Sequence, residues 1–166
     1  ILTPHLTSPE NKETRAATLD AIVQNELCAL RHGVFNLGFL ALGPGRESRK
    51  FLSWWASRLQ DFCMDAIEDG IFTDQKWVDL APGFFPTTIL RHPGYNVAPW
   101  NFSTRPLTRR QGLFEANGES LRFLHFSGTD TGGFEAMRTH FLGDKDEIVA
   151  GLFDDYRAKL ASHGQA

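Results

Sequence analysis

The segment that most limits how this chain folds is an apolar run over residues 34–42, in which Asn36 is the one polar side chain. Gly43, Pro44 and Gly45 follow directly and mark the end of a regular element. Continuous apolar runs of this length are typical of strands that are covered on both faces. Residues 34–42 are therefore predicted to form a buried strand.

Segments with helical spacing of apolar residues lie on both sides of this run. Residues 14–30 form the first, and Gly33 is expected to end that helix. Residues 47–64 form the second and have a wide apolar face that includes Trp54 and Trp55. We expect these two rings to pack in the core and at its boundary rather than to form a platform for a sugar ring.

The middle of the chain predicts two short elements. A helix is expected near residues 74–80, and Thr73 or Asp74 is a suitable N-cap because either side chain can accept a hydrogen bond from the first turn. A short strand is expected over residues 87–91.

The last third predicts a hairpin and a helix. Asn117-Gly118 lies between two strand-like runs, and this pair is a strong signal for a two-residue hairpin turn. The second run continues to residue 126, and a loop is expected from residue 127 through Gly133. Asp144 is expected to cap a final amphipathic helix.

Helices and strands therefore alternate, with one late antiparallel hairpin, and this pattern predicts the α/β class with a mixed sheet and flanking helices. A chain of 166 residues is long enough for one domain with a real core, so we expect residues 1–166 to form a single domain or a fragment of one. The apolar, strand-like opening Ile1-Leu2-Thr3-Pro4 also favours a segment that precedes it in a longer protein.

Composition excludes several classes of function. The net charge of −3 argues against nucleic acid as a main partner, because phosphate binding needs a basic face. No run approaches the roughly 20 apolar residues of a membrane span, and we expect no signal peptide. Cys28 and Cys63 are the only cysteines. We expect both to be reduced, buried thiols in a cytoplasmic protein.

Three polar features are candidates for a functional site. Asn36 lies inside the apolar run, where its amide needs partners, and Gly38 two residues later leaves room for a ligand on the same face. Asp74 and Gln75 stand together at a predicted helix start, where an acid and an amide can bind several sugar hydroxyls. Each feature also has a purely structural interpretation, as a polar group bonded to backbone or as a helix cap.

The third feature lies at the end of the hairpin's second strand, in the order His125-Phe126-Ser127-Gly128. Ligand sites on open α/β sheets gather at strand ends, and a glycine loop lets backbone amides approach a phosphate. His is a frequent metal ligand, but one His is not a metal site and a structural His is common. A metal hydrolase centred on His125 and Asp130 has too few ligands to be favoured.

In this order, the features resemble the retaining GT-A glycosyltransferases of the glycogenin and lipooligosaccharide galactosyltransferase type. The chain resembles, over nearly its whole length, a bacterial group of glycosyltransferases with similar motifs. Those motifs correspond here to residues 35–39 (FNLGF), 74–80 (DQKWVDL), 93–101 (PGYNVAPWN) and 124–128 (LHFSG). Leu124 departs from the group's Phe at that position.

The resemblance implies a function and a set of roles. A sugar would move from a nucleotide-diphosphate donor to a carbohydrate or glycoconjugate acceptor, with retention of configuration. Asn36 and Gly38 would lie at the donor sugar, and Asp74 and Gln75 would contact it near the reacting carbon. His125 would be one ligand of Mn²⁺ or Mg²⁺, and Ser127 and Gly128 would belong to the loop that reaches the diphosphate.

The chain differs from the family in the N-terminal half of the catalytic domain, which binds the nucleotide. The family's Asp-x-Asp, which supplies the other metal ligands, lies upstream of this region, and we expect it to be absent from this chain; Asp144-Lys145-Asp146 has the same spacing but follows the four motifs instead of preceding them. We therefore expect a C-terminal portion of the catalytic domain that is inactive alone, with its oligomeric state left open. The alternative is a non-catalytic domain of the same fold that binds a carbohydrate or a protein.

Overall fold

The computed structural model describes residues 1–165, which fold as two compact units, the first ending at His92 and the second beginning at Pro93. Both units are described by themselves below. Helices and short strands are mixed along the chain, so the expected α/β class is confirmed. The sheets are small, with two, two and three strands.

The first unit contains four strands, four α-helices and shorter helical turns within the described chain. In chain order its elements are β1 (Leu2–Pro4), α1 (Arg15–Ala21), a π-helical stretch (Ile22–Glu26), α2 (Leu27–His32), β2 (Phe35–Leu40), α3 (Arg46–Phe62), β3 (Asp65–Ala66), a 3-10 turn (Ile67–Asp69), β4 (Ile71–Phe72), a 3-10 helix (Lys76–Leu80) and α4 (Ala81–Phe84).

The predicted first helix is confirmed as one continuous helical segment that runs from α1 to α2. Thr14 caps it by accepting a hydrogen bond from the Ala17 amide, and Gly33, at φ +129°, ends it. Its apolar stripe does not pack against the core of this unit. The exposed side chains of that stripe are Leu19, Val23, Leu27 and Leu30.

The predicted buried strand is only partly correct. Strand β2 is shorter than expected, and burial is confined to its first two residues, Phe35 and Asn36. The reason is that β2 pairs antiparallel with β1 alone, so few neighbours cover it. Leu2 of β1 also forms an isolated parallel bridge with Ile89. The strand predicted over residues 87–91 is thus reduced to this single bridge.

An aromatic core supports this unit and includes the two Trp residues, as predicted. Phe51 is buried, and its ring centroid lies 5.6 Å from that of Trp55 and 5.7 Å from that of Phe85. The expectation for the cysteines was wrong in one respect. Both thiols are free, but neither is fully buried: Cys28 is half-buried, and Cys63, which directly follows α3, is exposed.

The second unit contains a three-stranded antiparallel sheet and two long helices. Its elements are a 3-10 turn (Pro99–Asn101), β5 (Leu107–Arg110), β6 (Leu113–Ala116), β7 (Glu119–Ser120), α5 (Gly133–Leu142) and α6 (Glu147–Ser162). The predicted hairpin turn is confirmed, with Asn117 and Gly118 at φ +51° and +79°. Its second strand is shorter than predicted, and beyond β7 only Leu124 forms a bridge, with Val97.

One helix of this unit was not predicted, and one cap was predicted wrongly. The loop predicted through Gly133 ends where helix α5 begins, and Phe134 of this helix lies in the core with its ring 4.5 Å from that of Phe153. The cap of α6 is Asp146 rather than Asp144, because Asp146 directly precedes the helix and accepts from the Val149 amide.

Candidate functional site

The seven predicted site residues fall into two groups, which we describe separately because each belongs to a different unit. The first unit contains Asn36, Gly38, Asp74 and Gln75, and the second contains His125, Ser127 and Gly128.

Asn36 and Gln75 meet in the first unit. The Asn36 amide nitrogen lies 3.2 Å from Gln75 Oε1 and 3.2 Å from His5 Nε2, and an amide nitrogen only donates. The Gln75 oxygen also accepts from the Leu37 amide at 3.1 Å, and its nitrogen donates to the His32 carbonyl at 3.1 Å. These side chains therefore satisfy one another and the surrounding backbone.

Two further side chains of the 3-10 helix that follows Gln75 form hydrogen bonds with the backbone at the end of α2 and directly before β2. Lys76 donates to the Leu30 carbonyl at 2.6 Å, and Asp79 accepts from the Val34 amide at 2.7 Å. Lys76 and Asp79 also form an ion pair at 3.1 Å. The polar positions of the motif at 74–80 thus hold the turn that leads from α2 into β2.

Asp74 has a different environment. Its backbone carbonyl accepts from Trp55 Nε1 at 3.0 Å, which fixes the peptide. Its carboxylate receives the Thr73 hydroxyl at 3.1 Å, the one side-chain bond that it makes to residues 1–165, and it is half-buried. The predicted N-cap was wrong, because the helix begins at Lys76 with Gln75 before it. Asp74 therefore retains hydrogen-bonding capacity at the surface.

Gly38 lies on the exposed part of β2. Its amide donates to Asn36 Oδ1 at 2.8 Å, a local bond between residues two apart. Gly38 is therefore accessible to solvent, while the neighbouring amide oxygen is engaged by backbone.

His125 lies at the end of the segment that follows β7. Its backbone amide donates to the Val97 carbonyl at 2.7 Å, and its ring lies 5.3 Å from that of Trp100. Burial lowers the pKa of the imidazole. Since the ordinary pKa of His is about 6.5, the neutral ring predominates at pH 7, and the neutral form is the one that binds metals.

A glycine-rich loop connects His125 to α5. The Ser127 amide donates to the His125 carbonyl at 3.0 Å, which turns the chain sharply. Gly128, at φ +73°, accepts through its carbonyl from the Phe134 amide at 3.1 Å and the Thr131 hydroxyl at 3.3 Å. Helix α5 begins with Gly132 as its cap residue, so no side chain covers its first turn.

The motif at 93–101 forms a buried polar loop, a role that sequence reasoning missed. Asn101 accepts from the Ala98 amide at 3.0 Å and donates to the Asn96 carbonyl at 3.1 Å. Arg105 is almost fully buried and donates to the Tyr95 carbonyl at 2.8 Å. Burial lowers the pKa of Arg105 to about 10. Two Asn residues in an apolar stretch were the signal for this network.

The residues needed for a complete metal centre are not grouped in this chain. Within residues 1–165, no three His, Cys, Asp or Glu side chains come close enough together to hold a metal ion. His125 is therefore at most one ligand. In the same part of the chain, no helix is both long and apolar enough to cross a bilayer.

Comparison with known proteins gives two relatives from Bacillus subtilis strain 168, which are named only as uncharacterized proteins. YfnF is 31% identical over 98 residues, which cover 58% of this chain and 32% of YfnF. YfnD is 30% identical over 102 residues, which cover 59% of this chain and 32% of YfnD. The match therefore spans about a third of each relative's length. No family model and no solved structure matches the chain.

Proposed function

We propose that this chain is the C-terminal portion of a glycosyltransferase of the GT-A fold, which transfers a sugar from a nucleotide-diphosphate donor to a carbohydrate or glycoconjugate acceptor. The observation that carries the proposal is the arrangement around His125. A neutral, half-buried imidazole precedes a glycine turn, and that turn leads into α5, whose first turn has no side-chain cap. The order of the four sequence motifs supports the same class.

The second unit would hold the leaving group. Breaking the anomeric bond places negative charge on the nucleoside diphosphate, and backbone amides at the start of a helix stabilise such charge. Gly128 is suited to this loop because a side chain there would press on the Phe134 amide, with a Cβ only 3.3 Å from that nitrogen. The loop can therefore stay close to the start of α5 only with glycine at this position.

Within the first unit, the motif at residues 74–80 contains the acid that the resemblance assigns to the donor sugar. The anomeric carbon becomes positively charged as the bond breaks, and a carboxylate stabilises that charge. Asp74 fits this role because its carboxylate keeps capacity for a ligand, whereas Gln75 is engaged by backbone and Asn36. We therefore assign Gln75 and Asn36 to positioning, and Asp74 to the sugar.

The divalent cation of this proposal, Mn²⁺ or Mg²⁺, does not have a full set of ligands in residues 1–165. His125 would supply one ligand, and the complete gene product would have to supply the others. When bound, the cation would neutralise charge on the diphosphate.

The proposal is tested by thermal unfolding of this chain with UDP-, GDP- and TDP-sugars, each with and without Mn²⁺. A ligand that binds only the folded state raises the melting temperature. We expect a metal-dependent rise with one nucleotide in the complete gene product, which would supply the remaining metal ligands, with its loss in His125→Ala and its retention in His163→Ala, which removes an exposed imidazole. No rise in this chain or in the complete gene product would contradict the proposal.

A second function is favoured by one observation. The amides of Asn36 and Gln75 bond to the protein itself, as expected of a domain that keeps the fold and binds a carbohydrate or a protein without catalysis. Binding of a free glycan without nucleotide or metal, unchanged in His125→Ala, would support this alternative.

A further inference from the structure

Helix α3 presents a basic face to solvent, and the proposed transfer reaction does not use it. Seven residues at helical spacing line this face, and four of them are cationic: Arg46, Arg49, Lys50 and Arg58. The chain as a whole has a net charge of −3, so this is a local concentration of positive charge on an acidic molecule.

Most of this charge is not neutralised by the protein. Lys50 pairs with Glu47 at 2.6 Å, whereas Arg58 donates to the neutral Ser57 hydroxyl at 3.1 Å. Within residues 1–165, no carboxylate forms an ion pair with Arg46, Arg49 or Arg58. Three guanidinium groups therefore face the solvent along about three turns of one helix.

An apolar ridge lies beside the basic face. Trp54, on the basic face, has its ring 5.6 Å from that of Phe84, and Phe62 further along α3 has its ring 6.1 Å from that of Trp77. The segment 77–84 therefore runs antiparallel to α3. It exposes 58% of Phe84 and 46% of Leu80.

We propose that this surface, formed by α3 and the segment 77–84, binds the anionic surface of a membrane. Cations attract acidic headgroups, and adjacent apolar side chains enter the boundary between headgroups and acyl chains. The ridge favours lipid, because its segment exposes the aliphatic Leu80 together with Phe84, whereas single-stranded nucleic acid would use cations and stacking rings. The surface would bring the chain to acceptors or donors held at a membrane.

The test is flotation of this chain with vesicles of phosphatidylglycerol and phosphatidylcholine in equal parts, compared with phosphatidylcholine alone. We expect binding to the anionic vesicles only. Changing Arg46, Arg49 and Arg58 together to Gln should weaken that binding on the order of 100-fold, since each cation near the surface contributes about fivefold. The matched control changes Arg109, Arg110 and Arg122 to Gln, which are exposed arginines of the second unit, and should bind as the wild type does.

The Leu80→Ser variant distinguishes binding to a membrane from binding to other polyanions. We expect it to weaken vesicle binding several-fold while circular dichroism shows an unchanged fold, because the side chain is exposed. Three results would overturn the proposal: equal binding to neutral vesicles, equal loss in the control triple variant, or binding to single-stranded DNA that requires the three arginines and is insensitive to Leu80→Ser.

Discussion

Hydrogen-bonding capacity separates the candidate residues from one another. Gln75 uses both ends of its amide to join the end of α2 to the start of β2. Asp74, its neighbour in sequence, has a carboxylate that meets one hydroxyl. Adjacent residues of one motif therefore differ in their contacts: Gln75 holds the backbone, whereas Asp74 keeps the hydrogen-bonding capacity that the proposed transferase would use for the sugar.

Gln75→Ala should lower the free energy of unfolding by about 2 kcal/mol, because it leaves the Leu37 amide and the His32 carbonyl without their partner. Urea denaturation measures the change. Gln24→Ala, at an exposed position, is the matched control and should cost less than about 0.5 kcal/mol. An equal loss of unfolding free energy in the two variants would contradict a positioning role for Gln75.

His125 should make stability depend on pH. Burial lowers the pKa of its imidazole in the folded state, so the unfolded chain binds its proton more readily. The stabilisation is complete above the unfolded pKa of about 6.5 and is lost as the pH falls through the folded pKa. Urea denaturation between about pH 8 and about pH 5 measures the effect. The free energy of unfolding should fall less steeply with falling pH in His125→Asn than in His163→Asn.

At the scale of elements, the loop from His125 to α5 depends on two glycines that differ in what surrounds them. Gly128 and Gly132 have left-handed φ values of +73° and +75°. A Cβ at Gly128 would lie 3.3 Å from the Phe134 amide, whereas one at Gly132 would meet nothing within 4 Å. Any other residue would therefore be strained at both positions, but a side chain would meet neighbouring atoms only at Gly128.

Gly132→Ala should cost about 1 kcal/mol from strain alone, and Gly128→Ala should cost more because the start of α5 must also shift. Thermal unfolding followed by circular dichroism measures both. If the two variants melt at the same temperature, close contact at Gly128 does not hold the loop against the helix.

The sequence predicts elements well where periodicity is strong and a cap or glycine marks the end. Helix α3 and the Asn117-Gly118 turn are of this kind. Helix α5 was missed because its first residue is Gly133 and the preceding residues have turn composition. Burial of β2 was overestimated, since an apolar run does not reveal how few strands will cover it.

The candidate site was predictable as a set of residue types but not as a set of contacts. Asn36, Asp74, Gln75 and His125 were chosen from their position in apolar or turn segments. His5 was missed as the partner of Asn36 because the two lie 31 residues apart and nothing in the local pattern joins them. Long-range partners of this kind depend on packing.

At the scale of the whole molecule, two hydrophobic cores stand out. One centres on Phe51 in the first unit, and the other centres on Phe134 in the second. Aromatic rings make up nearly half of the residues in each core, in line with the 14 Phe and 4 Trp of the sequence. Loss of one core therefore need not abolish the other.

Phe134→Ala should open a cavity at the centre of the second core and speed amide hydrogen exchange there, while the amides of the first 92 residues keep their protection. Phe51→Ala should do the reverse. Hydrogen exchange followed by mass spectrometry of peptides measures both variants. Uniform loss of protection in either one would mean that the two units unfold as a single cooperative body.

The most direct test of the central claim is release of nucleoside diphosphate from a nucleotide sugar by the complete gene product, measured with and without Mn²⁺. We expect metal-dependent turnover that falls on the order of 100-fold in His125→Ala and is unchanged in His163→Ala. Equal turnover in His125→Ala and the wild type would contradict the assignment of His125 to the metal. The absence of any turnover with every nucleotide sugar would contradict the transferase itself.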